Sequence, residues 1–400
     1  MRLLHAGAIL VGDGTTIVDG AIVLDGDRVV EIGPAAALIP QATGASIVRL
    51  PGVVFPGLVN AHTHLELSGL RDLPAGAGFA AWLDALQTAR AHELEEERDA
   101  AIDRALDDLE TFGVVAVGDV TNGLSAARRL SRRFSAVIWH EIFALDPVVG
   151  RARIEEARRA HEDLGLSKPP ILAPHALYST HPEVVAAILA LRRPGDPPFT
   201  IHLAEHAAER AFLRDGGGPL RAFYDRRRLP AAAFPIPGRA PIEVASALGL
   251  LRDDATLVHL ADARPEELDA IAAAGSVVVL CPRSNLQIET RYPPLLALRA
   301  RGIPIALGTD SLASAPSLDP LAEAKALLDR TPEVSAAALV AAATSGGARA
   351  LGLEGVLGLL ARGRRPGIFH VAVEIGGDPS AALLRSLSRP RVRIASGERA

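Results

Sequence analysis

Pro56-Gly57-Leu58-Val59-Asn60-Ala61-His62-Thr63-His64 is the stretch on which the fold of this chain turns. An apolar run from Pro56 to Val59 leads directly into two histidines spaced one residue apart. In a strand, side chains at i and i+2 leave the same face, so His62 and His64 project into one space. Two imidazoles at the C-terminal end of a strand make a natural pair of metal ligands. Two polar residues in a loop would look the same, so the rest of the chain has to decide.

Downstream, short apolar runs alternate with helical stretches. Strands are predicted over 57–61, 114–118, 136–139, 170–173, 199–201, 256–258, 276–280 and 304–307, with helical segments such as 95–109, 152–164, 183–191 and 265–274 between them. Eight β runs alternating with helices is the count of a (β/α)8 TIM barrel, an α/β fold. Upstream, runs over 3–10, 21–24, 28–32 and 47–54 suggest a small antiparallel sheet. After a mostly helical 321–351, strand-like runs return at 368–373 and 392–395. The expected organisation is therefore a small β-sandwich from residues 1–55 and 352–400, formed by both termini, and a barrel over 56–351. A Gly/Pro/Arg-rich stretch, 215–241, interrupts the rhythm after the fifth strand and reads as an inserted loop.

Composition narrows the class. Of the 400 residues 49% are hydrophobic and 22% charged, which suits a globular chain with a sizeable core. The net charge of -5 argues against a nucleic-acid groove or a polybasic membrane surface. The one cysteine, Cys281, cannot form an internal disulfide, residues 1–16 lack a signal peptide's apolar core, and no run is long enough to span a bilayer. A cytoplasmic, membrane-free chain is expected, and base rates for oligomers suggest a homodimer.

The strand ends carry the chemistry. His202 ends the fifth strand with Glu205 three residues on, His259 ends the sixth, and Gly308-Thr309-Asp310 ends the eighth. Each alone is explained by packing or capping. Together they put metal-type residues on strands one, five, six and eight, at the face where barrel enzymes build their sites. The fourth strand contains no lysine to bridge two ions; Lys168 precedes it and Lys325 lies in a later helix. A single divalent ion held by His62, His64, His202 and Asp310 is expected, zinc in preference to iron(II).

The Pro56–His64 block, the His202/Glu205 pair, His259 and Gly308-Thr309-Asp310-Ser311 resemble the amidohydrolase superfamily over nearly the whole chain. More narrowly they are similar to its mononuclear deaminases and triazine chlorohydrolases. Further blocks look most like the aminodeoxyfutalosine deaminase branch, which serves an alternative menaquinone pathway. These are His64-Leu65-Glu66-Leu67-Ser68, Phe79 with Trp82, Ala173-Pro174-His175, Cys281-Pro282-Arg283-Ser284-Asn285 and Asp310-Ser311. An acidic residue usual late in the family, near Gly367, is missing here.

The resemblance implies hydrolytic deamination of an aminopurine nucleoside, a small-molecule substrate. His259 and Asp310 would activate water, and Glu205 would act as the acid. Substrate contacts are expected from Glu66, Phe79, Trp82, His175, Arg283, Ser284, Asn285 and Ser311, each with a packing or loop-bonding alternative. Deamination of another heterocycle, triazine-type dechlorination and a non-catalytic scaffold are the competing functions. The last would show a missing ligand or a missing Glu205, and neither is missing. The arginines of the 215–241 stretch (Arg221, Arg226, Arg227, Arg228 and Arg239) would form a basic lid for the anionic far end of a substrate.

Overall fold

The computed structural model describes residues 1–71, 73–231 and 234–399, so Ala232 and Ala233 of the 215–241 stretch lie outside the described residues. Four strands open the chain: β1 (Arg2–Leu10), β2 (Thr16–Asp25), β3 (Arg28–Pro34) and β4 (Ser46–Pro56). Eight follow: β5 (Leu58–Thr63), β6 (Val114–Thr121), β7 (Ser135–Ile142), β8 (Ile171–Pro174), β9 (Phe199–Leu203), β10 (Ala255–His259), β11 (Val277–Leu280) and β12 (Ile305–Leu307). Then come β13 (Pro366–Val371) and β14 (Val392–Gly397).

Strands β5 to β12 form two four-stranded parallel sheets, β5-β6-β7-β8 and β9-β10-β11-β12. Isolated parallel bridges, Ala176 to His202 and Thr63 to Asp310, join the edges of the two sheets. Every residue of β5, β9, β10 and β11 is buried, as expected for parallel strands covered on both faces. Helices connect consecutive strands, and local chemistry sets their ends. Pro147–Leu164, between β7 and β8, starts where Asp146 accepts from the amides of Val148 and Val149 at 2.8 and 3.0 Å. It stops at Gly165, whose φ of 62° a residue with a Cβ rarely adopts.

The termini build one six-stranded sheet in the order β14-β13-β4-β1-β2-β3. It is mixed rather than antiparallel, because β4 runs parallel to β1. The helical turns Ala35–Leu38 and Ile39–Gln41 make the crossover that a parallel pair requires, and their short apolar pattern gave no strand or hairpin signal. The 215–241 stretch is also more ordered than a loop, carrying the helix Gly218–Arg226.

Phe55 of β4 and Phe369 of β13 stack with centroids 6.0 Å apart and join the core shared with Leu58, Leu106 and Leu109. Gly57 stands at the crossing into β5, where a Cβ would meet the Val115 side chain and lie 2.8 Å from the Pro366 carbonyl oxygen. Beside β14, Arg391 donates to both carboxylate oxygens of Asp319 at 2.7 and 2.6 Å and to the Phe112 carbonyl at 2.7 Å, all deeply buried. Asp319 also caps the helix Pro320–Arg330 through Leu321 N, so one ion pair ties the terminal sheet to the helix after β12.

Arg391→Leu leaves the Asp319 charge buried and unpaired. Stability should fall by about 3–5 kcal/mol, read from the denaturant midpoint; a change within experimental error would show that the pair does not hold the sheet in place.

Candidate active site

The C-terminal ends of β5, β9, β10 and the segment after β12 converge at the floor of a cavity of about 1010 Å³. His202 fixes the chemistry there. Its Nδ1–H donates to the His175 carbonyl at 3.0 Å, which leaves Nε2 as a bare lone pair. That Nε2 lies 3.3 Å from Nε2 of His62 and 3.3 Å from Nε2 of His64. Asp310 Oδ1 is 3.6 Å from His64 Nε2. Burial first, and then the facing imidazoles, depress the pKa of His62, and desolvation also lowers those of His64 and His202. Burial alone would raise Asp310, but the His64 and His259 rings and the Ser284 hydroxyl hold it below the usual carboxylate range.

Neutral imidazoles with converging lone pairs beside an ionised carboxylate are the donor set a divalent cation needs. Ligand atoms of His62, His64 and Asp310 lie within 4.8 Å of one another, as do those of His62, His202 and His259. The residues fit a bound metal. Lys168 is exposed before β8 and Lys325 pairs with Asp329, so neither lysine enters the site.

The local backbone is bent to achieve this. Ala204, His259, Leu260 and Asp310 have φ of 48, 79, 54 and 57°, a region costly for residues with a Cβ. Thr309 N and Asp310 N both donate to the His62 carbonyl at 3.0 Å, and the Asn60 amide clasps Thr309 through Oγ1 at 2.7 Å and N at 3.1 Å. Gly308 permits the approach: a Cβ there would lie 2.6 Å from that of His62. On the other side, Asp119 Oδ1 accepts from Leu65 N at 2.9 Å and from the Thr63 hydroxyl at 3.2 Å, fixing the turn that carries His64.

Glu205 follows β9 with its backbone N held by Glu209 at 2.9 Å. Its carboxyl lies 3.6 Å from His259 Nε2 and 3.9 Å from His206 Nε2. Burial, and after it the charge of Asp310, holds Glu205 well above the usual carboxylate range. Burial pulls His259 down to about 4, and the side-chain amide of Asn285 lies 3.2 Å from its Nδ1.

Of the expected substrate contacts, Phe79, Trp82 and His175 line the cavity. Phe79 stacks on His206 at 3.6 Å, and Trp82 donates to the Ala313 carbonyl at 3.3 Å. The others are not on the wall. The Glu66 carboxylate is filled by the amides of Asn122, Gly123 and Ser125 at 2.9, 2.8 and 3.1 Å, so it organises that loop rather than a ligand. Arg283 is consumed by buried Glu323 at 2.6 Å and by the Ser317 carbonyl. Ser284 donates to Asp310 Oδ2 at 2.5 Å, Ser311 meets the Ser314 hydroxyl, and Asn285 serves His259, all one layer behind the wall.

The lid expectation also changes. The stretch covers the mouth through Phe223, Tyr224, Leu229 and Pro230, but Arg227 is the one of the five arginines that lines the cavity. Arg226 and Arg227 pair with Asp84, Arg221 pairs with Asp225, and Arg239 lines a separate small cavity beside Phe234. The cluster's charge is thus largely spent within the protein. Sequence reasoning missed Glu141, Asn122, Asp119, His206 and Arg153. Glu141 and Asp119 lie towards the ends of β7 and β6, where the strand-end logic used elsewhere would have found them.

The amidohydrolase family model matches residues 53–392. The chain belongs to the amidohydrolase family. An aminodeoxyfutalosine deaminase from Deinococcus radiodurans is 31% identical to this amidohydrolase over 371 residues, 88% of this chain and 86% of that protein. A 5-methylthioadenosine/S-adenosylhomocysteine deaminase from Nitratidesulfovibrio vulgaris is 29% identical over 378 residues, 88% of this chain and 80% of that one. The crystal structure of Helicobacter pylori aminofutalosine deaminase with methylthio-coformycin has the same fold, with a TM-score of 0.85 at 22% identity, covering 98% of both chains. No helix among the described residues of this amidohydrolase is long and apolar enough to cross a membrane.

Beside the cavity, His140 Nδ1 and His161 Nε2 share a hydrogen bond of 3.0 Å. Burial, and then His140, pulls His161 from 6.5 to about 4. Between those values the unfolded imidazole binds a proton that the folded one refuses, so stability is lost as pH falls through that window. The urea midpoint should drop between pH 6.5 and pH 4.5, and His161→Gln should flatten the drop; an identical slope in both proteins would exclude this source.

Proposed function

We propose that this amidohydrolase is a metal-dependent hydrolytic deaminase that releases ammonia from an aminopurine nucleoside-like substrate, aminodeoxyfutalosine of menaquinone biosynthesis being our first choice. The observation that carries the reading is the pair Glu205 and His259, 3.6 Å apart on the cavity wall with opposite pKa displacements. One enters the reaction protonated and the other neutral, an acid and a base set by environment alone. The deaminase names of the two relatives support it.

His62, His64, His202 and Asp310 would hold one divalent ion, zinc in preference to iron(II), as three imidazoles and a carboxylate are a set that zinc accepts readily, though iron(II) accepts it too. When bound, such an ion lowers the pKa of water so that hydroxide is available near neutral pH. His259 Nε2 and the Asp310 carboxylate orient the attacking water and take its proton. Glu205 gives its proton to the ring nitrogen beside the amine-bearing carbon as the carbon–oxygen bond forms. The proton taken from water then goes to the amine. As the carbon–nitrogen bond breaks and ammonia leaves, the remaining hydroxyl proton passes to the Glu205 carboxylate, which restores the acid and leaves a carbonyl oxygen in place of the amine. Phe79 and Trp82 cover the flat face of the heterocycle and exclude bulk water.

In the same reading the two parallel sheets close into a (β/α)8 barrel over residues 56–351, supported by the bridges at Thr63–Asp310 and Ala176–His202. Residues 1–55 and 352–400 form the accessory domain expected as a β-sandwich; it is built on one six-stranded sheet that buries separate apolar clusters around Leu4 and around Leu3. A cytoplasmic homodimer completes it, supported by the buried lone thiol of Cys281 and by the commonness of two-fold symmetry.

Ammonia release should appear with a panel of aminated purine nucleosides, and Glu205→Gln should remove it by on the order of 10²–10⁴-fold while metal content is kept. Wild-type turnover in that variant would move the acid role elsewhere. At the outer end of the cavity Arg153 donates to the Phe143 carbonyl and, among the described residues, pairs with no carboxylate. Arg153→Ala should raise KM for a carboxylated nucleoside about tenfold or more, the loss of one charge-assisted hydrogen bond, and change adenosine little. Equal effects on both would remove the anionic end from the substrate.

A further inference from the structure

We infer that Glu141 is the specificity-determining residue that recognises the sugar hydroxyls of the substrate; this rests on the nucleoside reading above. Glu141 lies near the end of β7, on the cavity wall, and only 6% of its surface is exposed. Its Oε2 accepts from Asn122 Nδ2 at 3.2 Å. Its Oε1 is 3.3 Å from His202 Nδ1, whose hydrogen is already shared with the His175 carbonyl at 3.0 Å. A carboxylate offers about four acceptor sites, so Glu141 keeps capacity that its protein neighbours do not use.

The other deeply buried carboxylates are differently provided for. Glu323 is paired with Arg283, Asp319 with Arg391 and Asp262 with Arg210, and Glu66 is wrapped by three amides. Among the described residues Glu141 has no arginine or lysine within ion-pair distance, and unlike those four it lines the cavity. Glu205 and Asp310 are also on the wall without such a partner, and the proposed chemistry uses both. Asp119 and Glu209 lie off the wall and accept from backbone amides, those of Leu65 and Glu205. Leaving buried acceptor capacity unmatched is costly, and a ligand that brings donors relieves that cost.

The kind of donor follows from position. Glu141 meets His202 on the Nδ1 edge of the ring, whereas Nε2 faces the other imidazoles. A substrate whose reacting carbon faces the Nε2 side therefore brings its more distant part towards Glu141. In a nucleoside that part is the sugar, and a vicinal diol presents two O–H donors to one carboxylate. A cationic group is the poorer match, because Arg90 lines the same wall and donates to Asn122 Oδ1 at 3.2 Å. Through that contact Asn122 is turned so that its amide nitrogen, and not its oxygen, meets Glu141.

The test compares methylthioadenosine with its 2′,3′-dideoxy analogue in the wild type, Glu141→Gln and Glu141→Ala, with metal content measured on each preparation. The wild type should prefer the diol, and in Glu141→Ala that preference should fall on the order of 10–100-fold, with Glu141→Gln between them because one acceptor oxygen remains. Calorimetric binding of the two nucleosides to metal-depleted protein should show the same loss of preference without turnover. Equal losses on both nucleosides, or a loss of metal that accounts for the activity change, would overturn the inference and assign Glu141 to holding His202. A wild type inert towards every aminated nucleoside would instead sink the nucleoside reading itself.

Discussion

Three imidazole nitrogens held 3.3 Å apart around His202 cannot all carry protons. The His175 carbonyl removes the ambiguity by taking the Nδ1 hydrogen of His202, and burial does the rest by disfavouring the charged forms. The centre is thereby a cluster of lone pairs aimed at one point, which is unstable without something positive at its middle. Asp310, held ionised below its usual range by the same rings, adds negative charge and sharpens that demand. The rest of the molecule can be understood as the apparatus that keeps these groups from relaxing apart.

That apparatus is polar and specific. The three asparagines of the chain all belong to it: Asn60 ties the Thr309 turn to β5, Asn122 joins Arg90 to Glu141, and Asn285 holds His259. Asn60 and Asn122 use both ends of the amide, and Asn285 meets His259 through its amide nitrogen, a donor that an aspartate lacks. Ser284 and Ser314 converge on Asp310 Oδ2, leaving Oδ1 to face His64. Asp310 and His259 are thus positioned by Ser284, Ser314 and Asn285, none of which lines the cavity.

The alternation of strands and helices was legible because parallel strands buried on both faces are plain apolar runs, and the strand-end histidines, Glu205 and Asp310 were legible because a two-residue period aims them together. The parallel pairing of β1 with β4 was not, since register and direction depend on a crossover whose short turns leave no strong pattern. Nor was the difference between Phe79, which lines the cavity, and Glu66, which is buried in a ring of amides. Both follow the His62/His64 pair, and nothing in the sequence shows that the 122–125 loop wraps Glu66 while Phe79 is left facing the cavity. The arginines of 215–241 misled for a related reason: a charge in sequence gives no sign of its partner, and Asp84 lies well over a hundred residues away.

The same contrast separates chemistry from substrate choice in this fold. In the proposed reaction the residues that meet water and proton come from the ends of β5, β9 and β10 and the turn after β12, where the backbone is strained at Ala204, His259, Leu260 and Asp310. Such strain persists only where the surroundings over-determine it, so these positions tolerate few residue types and read as motifs. The rest of the cavity wall comes from other elements: the helix Phe79–His92, the ends of β6 and β7, the helix Pro147–Leu164 and the helix Gly218–Arg226. Most of those residues sit in ordinary helical or extended backbone, where a change of side chain alters shape or charge without breaking the scaffold. A chain can therefore keep its reaction while exchanging its substrate, and a motif that reveals the first is bound to say little about the second.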